Sequence, residues 1–95
     1  MLKFANNNIM EEIIKFKSNG CGGCKALQPV IEQIAKEYPD IKFSDVNIDD
    51  DPDKAAAFGV TTLPTLVFLK DGAEVGKLMG LKPKTLIVKK IAEVF

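Results

Sequence analysis

Cys21 and Cys24 are the only cysteines in the chain, and they share one short stretch, Gly20-Cys21-Gly22-Gly23-Cys24-Lys25. It lies between an apolar strand-like run and an amphipathic helix-like one. Two cysteines three positions apart suit either a redox dithiol or half of a zinc site. Tetrahedral zinc needs about four protein ligands. The sequence holds no histidine and no third cysteine, so one chain cannot close such a site. A disulfide between positions i and i+3 closes a small ring that opens and reforms readily, which suits a reaction cycle better than stapling a fold. The pair is therefore read as chemistry, with no cofactor beyond the redox-active disulfide.

The elements around the pair follow from hydrophobic period and punctuation. Leu27, Val30, Ile31, Ile34 and Tyr38 recur at three- and four-residue intervals. They predict an amphipathic helix from Cys21 or Cys24 to Tyr38, stopped by Pro39 and bent by Pro29. Leu2–Ala5 and Glu12–Ser18 read as strands. The half-dozen residues joining them are too few for a helical crossover, which takes about a dozen or more, so the N-terminal βα element is expected to be shortened. Ile41–Ile48 reads as a further strand, and Asp51 with Pro52 as the cap and first position of a short helix through Phe58, closed by Gly59. Thr65–Leu69 and Glu74–Met79 read as a hairpin about Asp71-Gly72, and Pro83 opens a last helix.

Composition bounds the function. Ninety-five residues suit one domain, residues 1–95, with a single α/β core, and 13 basic residues balance 13 acidic ones. Neither nucleic acid nor membrane is expected as a partner. The start Met1-Leu2-Lys3-Phe4-Ala5-Asn6-Asn7-Asn8 lacks the apolar run of a secretory signal, so a cytoplasmic location is expected. Thiols there are kept reduced, and a cysteine pair is more often catalytic or metal-binding than structural. Asp49, Asp50, Asp51 and Asp53 lack the ligand spacing of a calcium loop and read as helix-start residues. Lys82, Lys84, Lys89 and Lys90 read as a solvated helix face.

With Cys-x-x-Cys at a helix start and Leu63-Pro64-Thr65 opening the fourth strand, the order of elements resembles thioredoxin. Phe16, Lys25, Pro29, Val46-Asn47-Ile48-Asp49, Phe58-Gly59-Val60 and Gly80 extend the likeness over nearly the whole chain. The resemblance implies a thioredoxin fold, that is, an α/β fold with a central mixed sheet of four to five strands and helices on both faces. It also implies a cis peptide between Leu63 and Pro64, and reduction of protein disulfides. A monomer serving disulfide-containing client proteins and recharged by a thioredoxin reductase-type flavoprotein is the expected context. A glutathione-dependent, glutaredoxin-like enzyme is the alternative. The glycine pair and aspartate which that family carries after its cis-proline are not evident in Gly76-Lys77-Leu78-Met79-Gly80. A non-catalytic module, in which the cysteines bind metal across a dimer or merely stabilise a scaffold, is the remaining reading.

Roles for individual residues follow. At a helix N-terminus, unpaired backbone N–H groups and the helix dipole favour a thiolate on Cys21. Lowering a thiol pKa from about 8.5 to about 7 raises the thiolate fraction at neutral pH roughly fifteenfold, of which weaker nucleophilicity returns about fivefold. The lowered pKa thus acts more on redox potential than on rate. Cys21 is expected to attack and Cys24 to resolve. Pro64 presents the backbone of Leu63 beside them, and Gly22, Gly23, Leu63, Met79, Gly80 and Leu81 form an expected docking patch for an extended peptide.

The sequence departs from the family pattern in four places. Gly20 replaces the tryptophan before the first cysteine, and Gly23 replaces the proline between the two. Lys15 stands where the family holds a buried aspartate, and Asp45 where it holds the partner lysine, as if the pair were exchanged. Asp45 would then accept the proton of Cys24 while Lys15 lowers that thiol's pKa. The fourth departure is the shortened N-terminus.

Overall fold

A computed structural model of the protein describes residues 9–95. The expected strand Leu2–Ala5 lies outside the described residues. From there the chain runs β1 (Glu11–Lys17), α1 (Gly22–Glu37), β2 (Ile41–Asn47), α2 (Pro52–Ala57), β3 (Thr65–Lys70), β4 (Ala73–Met79) and α3 (Lys84–Val94). The four strands form one mixed sheet in the order β2-β1-β3-β4. β1 pairs in parallel with β2, across the helical crossover α1, and antiparallel with β3. It is therefore internal, with backbone partners on both edges.

Successive residues of β1 alternate between the two faces of the sheet, and each face has its own core. On one, Ile13 packs with Leu27, Ile31 and Ile34 of α1, Phe68 of β3 and Ile87 and Ile91 of α3. On the other, Ile14 and Phe16 pack with Val67, Leu69 and Ala55 of α2, and Phe58 leans on Phe16 with ring centroids 5.9 Å apart. Helices thus cover both faces, and Lys15 falls on the face that carries α1.

The expected element ends hold within a residue or two. Asp51 caps α2 by accepting from the Lys54 N–H at 3.1 Å, and Pro52 occupies the first turn, where a missing N–H leaves nothing unsatisfied. Gly59, at φ 65°, ends that helix in the left-handed region. Asp71 and Gly72 both have positive φ, 52° and 84°, as a two-residue hairpin turn requires. A register shift at Phe68/Leu69 interrupts the β3–β4 ladder. Pro29 stays inside a continuous α1, its exposed ring placing the lost hydrogen bond on the solvent side.

Candidate active site

β1 delivers the chain to the edge of the core at Ser18, and the turn Asn19-Gly20 leads into α1. Cys21 is the N-cap of α1, with extended backbone at φ −88° and ψ 106°. Its Sγ accepts a hydrogen bond from the Cys24 N–H at 3.0 Å, a capping role normally taken by a hydroxyl or carboxylate oxygen. Cys21 and Cys24 are joined by a disulfide, with Cα atoms 5.2 Å apart. The two cysteines differ in exposure: Cys21 is half-buried, whereas Cys24 is only 4% exposed.

Opposite the disulfide lies the turn before β3. The Leu63–Pro64 peptide is cis. Thr65 Oγ1 donates to the Thr62 carbonyl at 2.6 Å and closes that turn, while the Gly80 N–H donates to the Pro64 carbonyl at 2.7 Å and ties it to the end of β4. A Cβ added to Gly23 would lie 3.2 Å from Pro64 Cδ and 3.9 Å from Leu81 Cβ. Glycine at this position therefore lets the cis-proline turn sit directly against the cysteine loop.

The expected docking residues gather around this contact. Gly22 is exposed with open space around it. Met79 and Leu81 are 50% and 53% exposed, and Gly80 between them has φ 89°. Leu63 is different: its side chain packs half-buried against the core on the α2 face.

The charged residues behind the disulfide are asymmetric. Lys15 is only 4% exposed, the one charged residue buried among the described residues. It stands opposite Asp45 in the β1–β2 register, yet its Nζ is 4.0 Å from Asp45 Oδ1, too long for a hydrogen bond. Asp45 is exposed and makes its closer contact with Lys17, at 3.3 Å. Lys17, a second claimant for Asp45, could be found only from the strand register. Burial pushes the Lys15 ammonium below its ordinary value; Asp45 and Glu32 oppose that shift, and Lys17 adds to it.

The hydrogen bond of Lys15 goes instead to Gln28 Oε1 on α1. Sequence reasoning missed this residue. Its only signal is the i+4 spacing from Cys24, which stacks both on one side of the helix. Lys15, Lys17, Gln28 and Asp45 line a cavity of about 330 Å³ that also reaches Cys24 and Lys25. Beside Cys24 lies, therefore, an open cavity whose charged lining is three lysines and one carboxylate.

A redox-active disulfide capping a helix against a cis-proline turn, on a mixed sheet flanked by helices, defines a thiol–disulfide oxidoreductase. No group of three or more metal-ligating side chains occurs among the described residues. The thioredoxin family profile matches residues 3–93. The chain is 42% identical over 79 residues to thioredoxin of Chlamydia caviae, covering 83% of this chain and 78% of that one. It superposes on the oxidised crystal structure of mitochondrial thioredoxin 3 from Saccharomyces cerevisiae with a TM-score of 0.84 and 34% identity, over 97% and 88% of the two chains. Fasciola hepatica thioredoxin gives 0.85 and 34%, over 99% and 90%. The chain belongs to the thioredoxin family, and with membership come partners of the family's kind, a reductase and disulfide-bearing clients.

Proposed function

We propose that the protein is a carrier of reducing equivalents from a flavoprotein reductase to protein disulfides, with Cys21 as attacking and Cys24 as resolving thiol. The observation that carries this reading is the unequal exposure of the two cysteines, beside Pro64 and the exposed Met79 and Leu81. The Cys21 thiolate attacks a client sulfur and expels the first client thiolate. Cys24 then loses its proton and attacks Cys21 Sγ, the Cys21–client bond breaks, and the second client thiolate leaves. Two electrons pass from the dithiol to the client, and the protein is left with the Cys21–Cys24 disulfide. The leaving group in the second step is the client sulfur, so a lowered Cys21 pKa assists the attack and the potential, not this departure.

In this scheme Gly22, Gly23, Gly80 and the Leu63 backbone seat an extended segment of the client, with Met79 and Leu81 as its apolar contacts. Asp45 receives the Cys24 proton across the shared cavity, and the Lys15 charge favours the Cys24 thiolate. The chain acts as one domain and as a monomer. A reducing cytoplasm suits this direction of electron flow.

The test compares electron donors. With a thioredoxin reductase and its nicotinamide cofactor, the protein is expected to reduce a protein disulfide at catalytic concentration, and to turn over poorly with glutathione and glutathione reductase. Faster turnover with glutathione would favour the glutaredoxin-like reading instead.

A further inference from the structure

Gln28 is a neutral amide at a place where a buried lysine would ordinarily meet a carboxylate. Its orientation is fixed at both ends: Oε1 accepts from Lys15, and Nε2 donates to Glu32 Oε2 at 3.1 Å. A flipped amide would set donor against ammonium and acceptor against carboxylate, so the orientation follows from the partners. Among the described residues, no other hydrogen bond to Lys15 Nζ is present, and Asp45 is drawn outward to Lys17. Gln28 therefore anchors the ammonium without cancelling its charge. It does so one helical turn beyond Cys24, in the wall of the same cavity.

We propose that Gln28 is a positioning residue for the resolving step, holding the Lys15 ammonium in the cavity that borders Cys24 so that the Cys24 proton leaves beside a fixed positive charge. This rests on the reading of Cys24 as the resolving thiol. The charged and titratable groups that face Lys15 are Lys17 on its own strand, Asp45 on β2, and Cys24, Lys25 and Glu32 on α1. β3 contributes the apolar Leu66 at its register position. A positive charge held near a thiol favours its thiolate, and a lysine released from its anchor no longer supplies that charge at a fixed place.

The experiment follows formation and resolution of the mixed disulfide between the reduced protein and a defined protein disulfide, by rapid acid quench between pH 5 and 9. Gln28→Met is expected to raise the apparent pKa of resolution by half a unit to one unit, about three- to tenfold slower turnover below it, with formation changed less than about twofold. In a Lys15→Met background, the same substitution is expected to have no further effect. Circular dichroism establishes that each variant is folded. An unshifted resolution profile in folded Gln28→Met, or an equal shift when residue 15 is methionine, overturns the proposal. Cys24→Ser separates the two levels: it should form the mixed disulfide and fail to resolve it, and if it resolves as wild type does, the reading of Cys24 as resolving thiol falls and the proposal with it. Asp45→Asn should slow resolution much more than formation; an equal or negligible effect on both, with Gln28→Met still shifting the profile, removes the proton-acceptor role of Asp45 and leaves the role of Gln28 standing.

Discussion

Lys15 is the residue where stability and the proposed chemistry pull apart. A lone ammonium in an internal strand carries a desolvation penalty of several kcal/mol, only partly offset by one amide and a carboxylate 4.0 Å away. Lys15→Met keeps the volume and removes the charge, and Asp45 retains Lys17 at 3.3 Å, so no buried charge is orphaned. The variant is expected to be more stable at neutral pH by about 1 kcal/mol or more, a rise in Tm of roughly 4–8 °C per kcal/mol, measured by thermal melts. The pH dependence has a definite sign. The folded protein gives up the Lys15 proton below the ordinary value of 10.5, where the unfolded chain still holds it. Wild-type stability therefore gains from this group as pH rises from the lowered pKa toward 10.5, and the advantage of the variant shrinks over the same range. A variant less stable than wild type, or a gap that widens with pH, would show that the charge is better satisfied than its partners indicate.

The N-terminal turn of α1 and the turn before β3 work as a pair of elements, and Gly23 is where they touch. Glycine gives the reduced loop conformational freedom that ring closure removes, which is expected to disfavour the disulfide and make the protein less reducing than one with proline at position 23. Gly23→Pro is expected to lower the redox potential, read from the equilibrium with glutathione. Because a Cβ there lies 3.2 Å from Pro64 Cδ, the Pro64 turn must yield by a few tenths of an ångström. A potential unchanged or raised in the proline variant would mean that this crowding outweighs the loop entropy. Most elements were legible because each carries its own punctuation: Pro39 after α1, Asp51-Pro52 before α2, Asp71-Gly72 in the hairpin and Pro83 before α3. Their ends depend on local backbone chemistry, which a sequence states directly.

At the scale of the whole molecule, what the sequence left hidden is what only assembly brings together. Lys15 facing Asp45 was readable as an exchange within a known pattern, but the competing claim of Lys17 depends on strand register, and that of Gln28 on how α1 lies across β1. A glutamine on an amphipathic helix looks like any solvated polar residue until the sheet is placed beneath it. The cysteines and Pro64 were legible for the opposite reason, since few residue types can fill those positions. The sheet holds the disulfide, the cis-proline turn and the lysine-lined cavity in one arrangement, with Cys21 half-buried and Cys24 in the interior. The proposed division of labour between the two sulfurs is tested most directly by trapping. Reduced Cys24→Ser, mixed with a protein of known disulfide and analysed by non-reducing mass spectrometry, should accumulate a covalent adduct through Cys21 that does not resolve. Cys21→Ser should form almost none. Equal trapping by the two variants, or stable adducts through Cys24 alone, would contradict the account.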